Sequence, residues 1–141
     1  MTRKASRFAS WIALGAALAG LAGCGTQASN RITLRAQGAS DLDIRNGSLQ
    51  DDIAIEEGKC KALYEGDILV GKVVLESGKR VKQSFEYRWL WYDSDDFQNP
   101  VGGGGETWKQ EWINAEDEMQ VLGRATTPGC VAGRFELRYK K

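Results

Sequence analysis

The sequence predicts an all-β protein, an antiparallel sandwich of about six to eight short strands. Three observations carry this. Apolar and polar residues alternate with a period of two in "QSFEYRWLWYD" (83–93) and "VAGRFELRYKK" (131–141), as half-buried strands require. Further short apolar runs recur between turn residues, and no dozen residues carry a helical stripe. Strands this short and this numerous bury their apolar faces by packing two sheets together.

The first residues are of a different kind. Arg3, Lys4 and Arg7 precede an uncharged run from Phe8 to Ala22, the layout of a secretory signal. Its roughly 15 residues fall short of the about 20 that span a bilayer, so cleavage is expected. "LAGC" (21–24) resembles the lipobox of bacterial lipoproteins. By that resemblance residues 1–23 are a signal peptide cut before Cys24, whose thiol forms a thioether to a diacylglycerol and whose new amino terminus is acylated. Several acyl chains hold far more firmly than one, at about 0.8 kcal/mol per buried methylene. Gly25, rather than Asp, follows the cysteine, which by the sorting preference of such proteins implies the outer membrane. Residues 24–40 are expected to be the lipidated cysteine and a flexible tether, opening with the polar "GTQASNR" (25–31). Residues 41–141 are expected to form the sandwich.

Along that domain, "LDIRNG" (42–47) and "LQDDIAI" (49–55) are weaker strand candidates. "DILVGKVVLES" (67–77) is apolar on both sides and so central, and "SGKR" (77–80) would turn it into the next strand as a hairpin. In that strand Phe85, Tyr87, Trp89 and Trp91 share one face and Glu86 and Arg88 the other, where these two are expected to form a surface ion pair worth little. "TWKQEWI" (107–113) and "EMQVLGRA" (118–125) follow. The closing strand sets Val131, Phe135, Leu137 and Tyr139 opposite Arg134, Glu136, Arg138 and Lys140.

Removing the signal leaves 141 − 23 = 118 residues, enough for one domain. The 19 basic residues fall to 16 against 19 acidic ones, a formal charge of −3. This mixed, mildly acidic surface gives no reason to expect nucleic acid or an anionic lipid surface as partner. Cys60 and Cys130 remain. An even count in an exported chain predicts one disulfide, worth about 4 kcal/mol for a loop of this size in the chain-entropy account; the alternatives are two buried free thiols or a catalytic cysteine.

The aromatic strand "FEYRWLWYD", with "LDIRNG" before it and Trp108, Ile113, Leu122 and "GRFELRY" after it, resembles the YcfL-type bacterial envelope lipoproteins, a largely uncharacterised family. The resemblance implies an immunoglobulin-like or fibronectin-like sandwich in the periplasm, without known catalytic residues, and an association with genes for envelope maintenance. The glycine run after "DDFQNP" and the cysteine pair depart from the family's pattern.

Little in the chain points to catalysis. It holds no histidine, which removes Ser-His-Asp and Cys-His nucleophile systems and the commonest metal ligand. Asp93, Asp95 and Asp96 are bunched, but Phe97, Gln98 and Gly104 occupy the fifth, sixth and twelfth positions of an EF-hand register. No metal and no cofactor are expected. Gly102 to Gly105 lack the Lys and Ser/Thr of a phosphate loop. Glu106 and Glu111 could serve glycoside hydrolysis only if they faced each other across a cleft. Trp108 and Trp112, four apart, share a face on a strand. That face either joins the core, the expected reading because sandwiches need large inward residues, or lies open as a stacking platform. The expectation is a tethered, noncatalytic interaction module in envelope maintenance, anchored at Cys24, with an unidentified envelope protein as partner, possible placement near peptidoglycan synthesis, and no nucleic acid. The alternatives are a lipoprotein that binds cell-wall glycan through Trp108 and Trp112, or an inhibitor of envelope-attacking enzymes.

Overall fold

Among the described residues there are nine strands, arranged as two facing antiparallel sheets, with period-two alternation clearest in the long ones. The structure is a computed structural model and describes residues 27–97, 99–102 and 107–141. The signal segment, Cys24, Gly103 to Gly105 and Glu106 lie outside the described residues.

The larger sheet has the order β2-β1-β9-β6-β7, formed by β1 (Asn30–Arg35), β2 (Asp41–Asp43), β6 (Gln83–Tyr92), β7 (Lys109–Ile113) and β9 (Ala132–Tyr139). The smaller one is built on β5 (Ile68–Ser77). Lys72 pairs with both Lys61 and Leu122, and Leu75 with both Ile55 and Met119. A strand has two edges, so β3 (Ile53–Ile55) and β4 (Lys61–Glu65) lie end to end along one and β8 (Glu118–Arg124) takes the other. A 3-10 turn at Glu57–Lys59 separates β3 from β4. The central placement expected for β5 holds.

Four expectations change. Strand β1 lies inside the segment read as tether, so the sandwich begins at Asn30 rather than at residue 41. Ile32 and Leu34 are buried in the core, and Asn30 is fully buried with three side-chain hydrogen bonds that offset the burial of its amide. Its Oδ1 accepts from the Arg45 and Asn46 amides at 2.9 and 2.7 Å, and its Nδ2 donates to the Asn46 carbonyl at 2.8 Å. Next, "LQDDIAI" divides into the end of a one-turn helix α1 (Gly47–Asp52) and β3. Asn46 caps that helix through a bond from the Leu49 amide, as a short polar side chain at this position does. Third, "SGKR" makes no hairpin, since β5 and β6 belong to different sheets. The link is pinned as a corner: Gly78 N–H donates to the Asp52 carbonyl, Ser77 N–H to the Asp117 carbonyl, and Glu116 N–H to the Lys79 carbonyl, each at 2.9 Å.

The last correction concerns the cysteines. Cys60 and Cys130 are both free thiols. Cys60 Sγ donates to the Glu56 carbonyl at 3.2 Å and accepts from the Val74 amide at 3.4 Å, while Cys130 is buried near Thr127. Cys60 is held by backbone bonds and Cys130 packs into the hydrophobic core, so an even count did not mean a bonded pair. Burial pushes the Cys60 thiol above its ordinary value, the Val74 amide opposing this only in part.

The core is organised by β6. Phe85, Trp89 and Trp91 point inward from it, and the Trp89 and Trp91 rings stack at 5.1 Å. Trp89 lies flat on the opposite sheet, where Gly71 and Gly123 face each other across β5 and β8. A Cβ on Gly71 would come within 2.6 Å of the indole. Trp91 meets Gly133 of β9 in the same way, at 2.5 Å. These glycines are there for close approach of an aromatic ring, since each would otherwise stand in its volume.

Candidate ligand-binding site

The outer face of the larger sheet carries charge in register. One row crosses four strands as Asp43, Arg31, Glu136 and Arg88. The next pairs Arg138 with Glu86, and Glu86 with Gln110. The row is closed by ion pairs: Arg31 to Asp43 at 2.8 Å, Arg88 to Glu136 at 2.7 Å and Arg138 to Glu86 at 2.7 Å. Glu86 and Arg88, two apart on one strand, thus find partners across strands rather than each other, because directly opposed side chains on a sheet are the closer pair. Glu136 is nearly buried, with a side chain 7% exposed.

Trp108 lies over this ladder. The Arg138 guanidinium is 3.8 Å from its ring centre and that of Arg88 4.6 Å, the geometry of cation–π contact. Beside it opens a cleft of about 460 Å³, walled by Arg31, Arg45, Arg88, Arg138, Lys141 and Trp108 and reached by residues 27–29, where the described chain begins. Arg45 shares Asp43 with Arg31, bonding it at 2.9 Å. Residue types alone could not have disclosed the cleft. Its cations come from four separate stretches of sequence, and only strand order brings them together.

Trp112 is on edge strand β7, opposite Ser84, so it faces outward on the same side. It is 48% exposed, with the Lys82 ammonium 5.3 Å from its ring centre. Neither tryptophan therefore joins the core, contrary to expectation. Phe85, Trp89, Trp91 and Phe135 fill the inward volume without them.

The remaining candidates are dispersed. Glu111 on β7 accepts a bond from the neighbouring Trp112 amide. Asp95 pairs with Arg35 at 3.2 Å, and Asp96 accepts from the Ser94 hydroxyl. Cys60 lies in the wall of a second hollow, of about 350 Å³, between the β1–β2 loop and β4.

Comparison with known proteins adds a family. A family model described as "Protein of unknown function (DUF1425)" matches residues 40–139. No curated protein matches the chain. The crystal structure of a DUF1425 family member from Shewanella sp. pv-4 is similar at 21% sequence identity and a TM-score of 0.52. The match covers 78% of this chain and 96% of that one, and what it establishes is the fold.

Proposed function

The chain belongs to the DUF1425 family, and from that premise we propose that it is a lipid-anchored envelope lipoprotein of the YcfL kind, acting as a noncatalytic interaction module in cell-envelope maintenance. The observation that carries the reading is the outer face of the larger sheet: a cross-strand ladder of ion pairs, an indole laid over it and an open cleft at its edge. Such a face offers charge, hydrogen-bond donors and an aromatic anchor at fixed positions, which is what recognition of a partner needs. Cys24 supplies the acyl attachment, and the lipid fixes the height of the face above the outer membrane's inner leaflet.

Two measurements test this. Metabolic acyl labelling of the Cys24→Ser chain is expected to vanish, with release or misprocessing of the protein; labelling that survives would overturn the anchor. Crosslinking in living cells, followed by enrichment and mass spectrometry, is expected to recover one dominant envelope protein. A second reading rests on the exposure of Trp112: glycan stacking on its open ring. It predicts that soluble wall fragments quench tryptophan fluorescence and that Trp112→Ala abolishes the response.

A further inference from the structure

We infer that the cleft beside Trp108 is a binding site for the phosphate headgroup of an anionic phospholipid in the leaflet that carries the anchor. The inference rests on the anchored-lipoprotein reading and gives its cleft a ligand. It begins with charge. Five basic side chains wall or rim the cleft, and the carboxylates that engage them are three, Asp43, Glu86 and Glu136. Side-chain charge in the cleft is therefore in surplus by 5 − 3 = 2, although the mature chain as a whole is acidic. The surplus is placed at Arg45, which shares Asp43 with Arg31, and at Lys141. A guanidinium has five donors in a fork suited to phosphate oxygens, and Arg31, Arg45, Arg88 and Arg138 all meet their carboxylates through Nε.

Position then selects the ligand. Residues 27–29 reach the cleft, and Gln27 is three residues from Cys24. At about 3.3–3.6 Å per residue the acylated position is within roughly 11 Å of it. The cleft is thus confined to the headgroup layer, where local phosphate concentration is high and a surface potential attracts Lys and Arg. Trp108 suits the same place, since an indole with one apolar face and one polar edge prefers the membrane interface. Its stacking on Arg138 holds it there without a ligand.

The test uses the full chain, processed by its host and purified in a nonionic detergent, with tryptophan fluorescence as readout. Short-chain phosphatidylglycerol is titrated against short-chain phosphatidylcholine, inorganic phosphate and a muropeptide bearing carboxylates. A saturable response to phosphatidylglycerol alone is expected, lost in Trp108→Phe and weakened at least tenfold in the double variant Arg45→Gln, Lys141→Gln. Those two side chains stand outside the Arg88–Glu136 and Arg138–Glu86 pairs, and an unchanged melting temperature verifies the variant's fold. Equal response to both lipids, or indifference to the double variant, would overturn the site. So would saturation by free phosphate at the same concentration, which would make it a soluble-anion site, or by the muropeptide alone, which would give it to the wall. Intact mass on the same sample reports acylation of Cys24, so failure of the anchor and failure of the headgroup site are separate results.

Discussion

Trp89 spaces the two sheets, and its neighbours are chosen around it. The indole rests on Gly71 and Gly123, so Gly71→Ala is expected to lower stability by about 1–3 kcal/mol through overpacking, measured as a shift in denaturant midpoint. In a Trp89→Leu background the same substitution should cost much less, because the clash is with the ring; an undiminished cost would place the strain elsewhere. At the cysteines, alkylation under denaturing conditions without reductant should label both Cys60 and Cys130. The inward Trp89 and Trp91 were legible from alternation. The glycines opposite them were not, since a glycine's reason to be small is set by a strand far away in sequence. Nor could two cysteines announce from their number that each sits among its own neighbours.

At the scale of the element, long alternating strands were legible and edges and corners were not. β6, β9 and β5 bury one whole face against the other sheet, and that face repeats every second residue. β4 has most of its residues exposed, so its pattern carries little signal. β1 was hidden by the polar residues before it and by its own first residue, Asn30, whose burial depends on bonds to residues 45 and 46. Asn30→Ala should therefore cost about 1–2 kcal/mol, because the part-buried Arg45 and Asn46 amides lose their acceptor while the Asn46 carbonyl keeps its bond from the Gln50 amide, and calorimetry of the variant checks this. "SGKR" has the glycine and polar residues of a hairpin, and a corner between sheets needs the same ones. Likewise Glu86 and Arg88 were correctly placed on the outer face but wrongly expected to pair with each other, because the register that gives them partners on β9 is a property of two strands. Glu136→Gln is expected to destabilise by about 1–2 kcal/mol, since the Arg88 guanidinium loses a nearly buried partner; a denaturant midpoint unchanged within 0.3 kcal/mol, about the error of such comparisons, would mean the pair is replaced by water.

For the molecule as a whole, fold class was the most legible property and the distribution of charge the least. Counting residues gave a mixed surface; strand order gathers the arginines of β1, β6 and β9 on one outer face. Whole-chain stability should also respond to alkali. Burial raises the Cys60 thiol above its ordinary 9.0 and the Tyr92 and Tyr139 phenols above their ordinary 10.0, with the Tyr139 to Asp52 hydrogen bond adding to its shift. Between each ordinary value and its raised folded value the native state holds more protons than the unfolded one. Stability from these groups is thus fully present below about pH 9 and lost as pH rises through the folded values; thermal melts from pH 8 to 11 should show a steady fall. The burial of Asn30 has a mechanical side as well. Under the proposed anchor at Cys24, a tug from a partner would reach the fold through the point where the chain enters the sandwich. There, β1 is flanked by β2 and β9, so tension along its axis must shear two ladders at once, and a sideways pull meets the Asn30 clamp before it can unzip the first rung.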